Sequence, residues 1–250
     1  MRRIAVVLAM LLVSVRVGQT APPRGAPHPV DLALVLVDDV SGSINDDEFA
    51  LQKQGYVSAF DNPKVIAAIT GGAVGAIAVA YVEFAGDYQV RTVLDWQVIH
   101  DANSSKAFAA ALGEAERSYR GHTAIGAGID RAMQLLAQRD DRTDRRVIDV
   151  CGDGTNNAGR EVVEARRDAL HAGVTINGLA IANESDVPWL QAHTHPPGGL
   201  ANYYRENVTG GPGSFVLEIH DYRSFAAAIA RKLINEIARR RAWPSQVRPS

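Results

Sequence analysis

The sequence predicts an α/β fold: a doubly wound, mostly parallel six-stranded sheet with one antiparallel edge strand and helices on both faces. Three observations carry this expectation. Apolar runs alternate with helical patterns along most of the chain, the order expected when crossover helices wind a sheet. The first run, "VDLALVLV" (30–37), is almost wholly apolar, as expected for a strand covered on both faces. One run, "YQVRTVLDW" (88–96), alternates instead and follows a short polar turn at Gly86-Asp87, which marks an antiparallel edge strand.

The elements follow in order. After the first strand, "INDDEFALQKQGYVSAFDNP" (44–63) reads as a helix, with Asn45 as N-cap, Glu48 three residues on, and Asn62-Pro63 closing it. "GAIAVAYVEFA" (75–85) is the second strand, and the alternating run is the third. A helix from about Ser104 to Tyr119, a tight "RGHT" link and a helix from Ala124 to about Gln138 come next. "RRVIDVCGDG" (145–154) is the fourth strand, ending at Asp153, and "REVVEARRDALHAG" (160–173) is a helix with Gly173 in the stop position. "VTINGLAIA" (174–182) is a strand, "SDVPWLQAH" (185–193) a short helix and "SFVLEI" (214–219) the sixth strand. "DYRSFAAAIARKLINEIARR" (221–240) closes the chain as an amphipathic helix. No internal repeat interrupts this order.

Composition bounds the remainder. The chain has 250 residues, 46% hydrophobic and 22% charged, enough for one sizeable core. Residues 1–21 read as an export signal: Arg2 and Arg3 precede an apolar run too short to span a bilayer comfortably. Arg16 interrupts the end of that run, so an uncleaved anchor is the alternative reading. No cysteine follows, which argues against a lipoprotein anchor. Residues 22–29 form a Pro- and Gly-rich tether, 30–241 the domain and 242–250 a tail. The expected location is therefore the periplasm or the exterior, with no stable membrane insertion after cleavage. Loss of Arg2, Arg3 and Arg16 with the signal moves the formal charge from −2 to −5, a poor balance for non-specific nucleic-acid binding. Cys151 is the sole cysteine and leaves no intramolecular disulfide.

Function is sought at the carboxyl ends of the strands, where right-handed crossovers place ligand sites. Asp39, Ser41, Ser43, Thr123 and Asp153 all fall at that edge. Every one is an oxygen donor and none is soft, a set suited to magnesium, manganese or calcium. In Asp39-x-Ser41-x-Ser43, alternate side chains project to one side, so three oxygens can converge while Val40 faces the core. Gly42 lets the backbone turn without a clashing side chain. The competing reading is a strand-end turn with capping Ser and Asp that holds no metal.

"DVSGS" after an apolar strand, "GHTAIGAGI" opening a helix and "DVCGDG" ending a later strand resemble the von Willebrand factor type A domain. The resemblance extends from about Val30 to Arg240. "VIDVCGDGTNNAG", "TINGLAIA" and "YYRENVTGGPGSFV" resemble a narrower group of exported bacterial proteins built on that domain. It implies a metal-ion-dependent adhesion site formed by Asp39, Ser41, Ser43, Thr123 and Asp153. Hydroxyls would ligate the cation directly, with magnesium foremost, and the aspartates would act through water or at longer range. A carboxylate from a protein or peptide partner would fill the exchangeable position. The implied function is non-enzymatic, metal-dependent binding. A metal-assisted hydrolase would need a base, nucleophile or second metal that the sequence does not offer, and the third possibility is a structural domain with an unoccupied site.

Other residues carry weaker signals. Asp38 departs from the family pattern, and is read as a solvent-facing group, an acid that supports the metal ligands without touching the cation, or a shift of register. Asn156 and Asn157 either support the metal ligands from behind or, preferably, serve as turn residues. His122, beside Thr123, is a possible partner contact or a surface loop residue. His193 and His195 suggest a zinc pair only weakly and are taken as an exposed loop. Cys151 is expected to be a small core hydrophobe.

Overall fold

The computed structural model describes residues 29–139, 143, 145–183 and 188–238. The expected signal, most of the tether, the tail and the start of the helix at 185–193 lie outside the described residues. Among the described residues there are six strands: β1 (Leu32–Asp39), β2 (Ile77–Phe84), β3 (Val90–Ile99), β4 (Arg146–Gly152), β5 (Thr175–Ile181) and β6 (Val216–Ile219). They form one sheet in the order β3-β2-β1-β4-β5-β6. Only the β2–β3 pair is antiparallel; the other pairs are parallel. The expected sheet and its antiparallel edge strand are both observed.

Among the described residues eight α-helices surround it: α1 (Asp46–Phe60), α2 (Pro63–Thr70), α3 (Ala102–Glu114), α4 (Ile125–Ala137), α5 (Val162–His171), α6 (Pro188–Thr194), α7 (Leu200–Tyr203) and α8 (Phe225–Ala238). The two-residue period of β1 divides the core. Leu32, Leu34 and Leu36 pack with Tyr56 and Phe60 of α1, Phe108 of α3, and Phe225, Ile229 and Leu233 of α8. Ala33, Val35 and Val37 pack on the other face with Ile125 and Ile129 of α4 and Ala165 and Ala169 of α5. β1 is central, with β2 on one side and β4 on the other. The winding therefore reverses between β1 and β4, which opens a crevice beyond their carboxyl ends.

Local signals explain most boundaries. Asn45 forms a reciprocal capping box with Glu48, starting α1 where expected. Gly173 takes φ +73°, the left-handed conformation that stops α5. Three boundaries differ from expectation. Asn62-Pro63 ends α1 but also begins α2: the Asn62 side chain caps the Lys64 N–H at 2.9 Å, and Pro63 occupies the first turn, where its missing N–H costs nothing. α3 stops at Glu114, well before Tyr119, because Ala115 turns extended (φ −65°, ψ 135°). β1 runs on through Asp38 and Asp39, which keep register with Glu83 and Phe84 of β2. A further helical stretch, α7 with a π turn at Tyr204–Val208, was not expected from the sequence.

One feature of the interior breaks the apolar pattern. Lys232 and Glu236, one turn apart on α8, are buried against Asp149 of β4 and Asn177 of β5. The Lys232 ammonium bonds Asp149, and Glu236 at 2.9 Å. Burial alone would lower the Lys232 pKa, but the two carboxylates outweigh it and hold it above the usual lysine range. Burial, then the Asp149 charge, pushes Glu236 up to about 7. Removing one partner from such a cluster strands the others without water. Lys232→Met is expected to lose about 3–5 kcal/mol of stability in urea unfolding at neutral pH. The raised Glu236 pKa makes its contribution full below about 4.5, the unfolded value, and lost as pH rises through about 7. Unfolding free energy measured from pH 4.5 to 8 should therefore fall less steeply in Glu236→Gln than in the wild type.

Candidate metal centre

The crevice between β1 and β4 is where the strand-end oxygens meet. Asp39 ends β1, facing the side of the sheet that carries Val35 and Val37. Asp153 follows the last residue of β4. A run of polar contacts links the loops: Ser43 Oγ donates to Asp153 Oδ1 at 2.7 Å, Ser41 and Ser43 Oγ are 3.1 Å apart, and Thr123 Oγ1 donates to Ser41 Oγ at 3.0 Å. Asp39 Oδ1 accepts the Ser41 N–H at 2.8 Å. All five residues singled out in the sequence thus come together. Asp39, Ser41, Thr123 and Asp153 are buried, and Val40 lies in the core.

Electrostatics leave this cluster unfinished. Burial raises the pKa of Asp39, and the neighbouring Asp153 raises it further. Burial likewise pushes Asp153 up to about 6, against the hydrogen bond from Ser43. Asp39 Oδ2 is buried and has no hydrogen-bond partner. Gly152 leaves the room it occupies, since a Cβ there would lie 2.9 Å from that oxygen. Two desolvated carboxylates, an orphaned oxygen and three hydroxyls are a donor set that a hard cation satisfies. Among the described residues no group of three His, Cys, Asp or Glu side chains is placed to hold a metal, so any cation here depends on the hydroxyls.

The surrounding loops are held by residues with no motif to announce them. Arg117, from the segment after α3, turns inward. Its Nη2 donates to the carbonyls of Val40 and Ser41, both at 2.7 Å, and of Ile44 at 2.9 Å, fastening the β1–α1 loop. Gly42 has no positive φ; it permits close approach, its N–H meeting the Gly121 carbonyl at 2.8 Å. Asn157 brackets Thr123, accepting its N–H on Oδ1 at 2.8 Å and giving its own N–H to the Thr123 carbonyl at 2.9 Å. Asn156 Oδ1 accepts the Gly126 N–H at 3.1 Å, which caps α4 where Ala124 offers no side chain. Both asparagines therefore do more than form a turn.

Three further placements refine the sequence reading. Asp38 is buried, not solvent-facing, and points to the opposite face from Asp39. There it accepts hydrogen bonds from Tyr81 at 2.7 Å and Tyr56 at 3.1 Å, and burial pushes its pKa up to about 8. Register is unshifted: Asp38 pairs with Cys151 and leaves Asp39 at the edge. Cys151 is buried in the core, with burial raising its pKa. His122 is exposed.

His193 is not the exposed loop residue expected. It is half-buried, with Nε2 3.1 Å from Thr123 Oγ1 and Nδ1 3.0 Å from Thr155 Oγ1. Its carbonyl accepts the Thr155 N–H at 3.1 Å, joining the end of α6 to the loop after β4. Burial and the nearby His122 lower its pKa. The only sequence signal was a histidine pair without ligand spacing, and His195 Nδ1 instead meets Thr194 Oγ1.

Comparison with known proteins gives the wider setting. No curated protein matches the chain. Among solved structures, proximal thread matrix protein 1 from the mussel byssus, in a form with a zinc-occupied MIDAS motif, aligns over 85% of this chain and 49% of its own, at 16% identity and TM-score 0.58. The open conformation of the pilus adhesin SpaC from Lactobacillus rhamnosus GG aligns over 86% and 30%, at 15% identity and TM-score 0.58. A von Willebrand factor type A protein from Catenulispora acidiphila aligns over 83% and 43%, at 16% identity and TM-score 0.57. The chain spans about half the length of these structures or less, and the likeness establishes the fold. The family model described as "Protein of unknown function (DUF1194)" matches residues 29–241. The chain accordingly belongs to the DUF1194 family, built on a von Willebrand factor type A fold.

Proposed function

We propose that the chain is an exported, non-enzymatic binding module in which a divalent cation captures a carboxylate on a protein or peptide partner. Residues 30–241 would form the module. Asp39, Ser41, Ser43, Thr123 and Asp153 would hold the cation, with magnesium the first candidate and manganese or calcium alternatives. The observation that carries this reading is the buried, unpartnered Asp39 Oδ2 beside the hydroxyls of Ser41, Ser43 and Thr123. Bound there, the cation would supply positive charge that a partner's carboxylate can neutralise. The chain's own residues do the positioning: Arg117 fixes the serine loop and Asn157 fixes Thr123. His122, exposed beside Thr123, is the residue best placed to meet a partner. The zinc-occupied MIDAS of the mussel protein and the adhesin role in the name of SpaC lend support by analogy of fold.

The contact of His193 with Thr123 pairs a base with a hydroxyl, which raises the hydrolase alternative. The other ring nitrogen, however, meets Thr155 and Asn157, neither of which is a carboxylate that would stabilise an imidazolium. Binding is therefore preferred to hydrolysis.

A cation at about 100 times its Kd should stabilise the protein by about 2.7 kcal/mol, or about 5–10 °C in Tm for a domain of this size. Calorimetric melting with magnesium or manganese should show that rise, and Asp39→Ala should abolish it. Identical curves with chelator and with each cation would overturn the proposal.

A further inference from the structure

We infer that His193 is a nitrogen donor at this same centre, so that it binds transition cations such as manganese or zinc more tightly than magnesium. The inference rests on the cation reading above and adds a ligand to it. In an octahedral shell with bonds of about 2.1 Å, adjacent donors stand about 3.0 Å apart. The sequence of contacts from Ser43 Oγ to Ser41 Oγ, Thr123 Oγ1 and His193 Nε2 has spacings of 3.1, 3.0 and 3.1 Å. These are hydrogen-bond lengths that an octahedral edge also spans, and Nε2 lies directly against Thr123 Oγ1, one of the proposed donors.

The ring is held on two sides, by Gly154 passing close to Nε2 and by Thr155 at Nδ1. Gly154 follows Asp153, and any Cβ there would collide with the His193 ring. The Thr155 hydroxyl lies against Nδ1 at 3.0 Å. Because a hydroxyl both donates and accepts, Thr155 suits either tautomer, while Asn157 Nδ2, 3.4 Å from Nδ1, favours the proton on Nε2 until a cation displaces it. With no cation, Nε2–H can donate to Thr123 Oγ1, whose own proton goes to Ser41. With the proton on Nδ1 and donated to Thr155, Nε2 offers a lone pair, the arrangement in which histidines ligate metals. An imidazole suits manganese, cobalt and zinc better than magnesium, which keeps oxygen ligands and water.

The test uses the full domain without a polyhistidine tag. Manganese bound to the wild type should give an imidazole nitrogen signal in pulsed electron paramagnetic resonance. The signal should survive in His122→Ala and vanish in His193→Gln. In calorimetric titrations His193→Gln should lose at least about tenfold in zinc affinity while its magnesium affinity changes far less. Manganese binding without a nitrogen signal, or a signal lost in His122→Ala, would overturn the assignment of His193 and leave the cation site standing. Failure of every cation to bind the wild type would overturn both readings.

Discussion

Two carboxylates withdrawn from water at the ends of neighbouring strands set the terms for everything built around them. Asp39 and Asp153 lie where the winding of the sheet reverses, and topology alone brings them together. Like charges in such a place need either protons or a counter-charge. The loops respond by presenting hydroxyls, whose protons can satisfy one carboxylate oxygen but not all of them. The loop architecture follows from that constraint. The serine loop must be held tightly enough to keep its oxygens convergent, which is the task of Arg117 and its carbonyl contacts. The threonine loop is held by Asn157.

The opposite face of the sheet shows a different solution to the same problem. Asp38 shares a strand with Asp39, yet the period of two sends it among tyrosines, where two phenolic donors reach it. Farther along that face, Asp149 faces a lysine from the closing helix. One sheet therefore carries buried acids on both sides. On the α1–α8 side two tyrosines reach Asp38 and an ammonium ion faces Asp149. Asp149 Oδ2, like Asp39 Oδ2, has no hydrogen-bond partner; what sets Asp39 apart from Asp149 is that no cationic side chain bonds it.

The sequence made the strands and the acidic edge legible because both depend on short-range pattern. Predominantly apolar runs between helical patterns identified the parallel strands, and an alternating one identified β3. The Asp39-x-Ser41-x-Ser43 spacing announced a convergent loop. What escaped depends on contacts between distant segments. Arg117 looked like one more charged residue beyond a helix, and its partners in the serine loop lie more than 70 positions away. His193 reaches Thr123 across a separation of 70 residues, so its neighbours in sequence say nothing of its partner. Pro63 was legible as a stop and equally consistent with a start, a choice settled by the side-chain cap of Asn62. Lys232 fell within an amphipathic pattern, in which a lysine ordinarily faces water. Only the presence of Asp149 in a buried strand could have suggested otherwise.

That buried lysine also determines how the closing helix is seated. A helix docked through aliphatic side chains alone can slip along its axis, trading one set of similar contacts for another. Lys232 and Glu236 remove that freedom, because Asp149 and Asn177 offer matching groups at one axial setting. Displacement would drag an ammonium ion past hydrocarbon and strip two acids of their counter-charge. The cluster acts as an indexing pin, fixing the position of α8 along the sheet as well as its attachment to it.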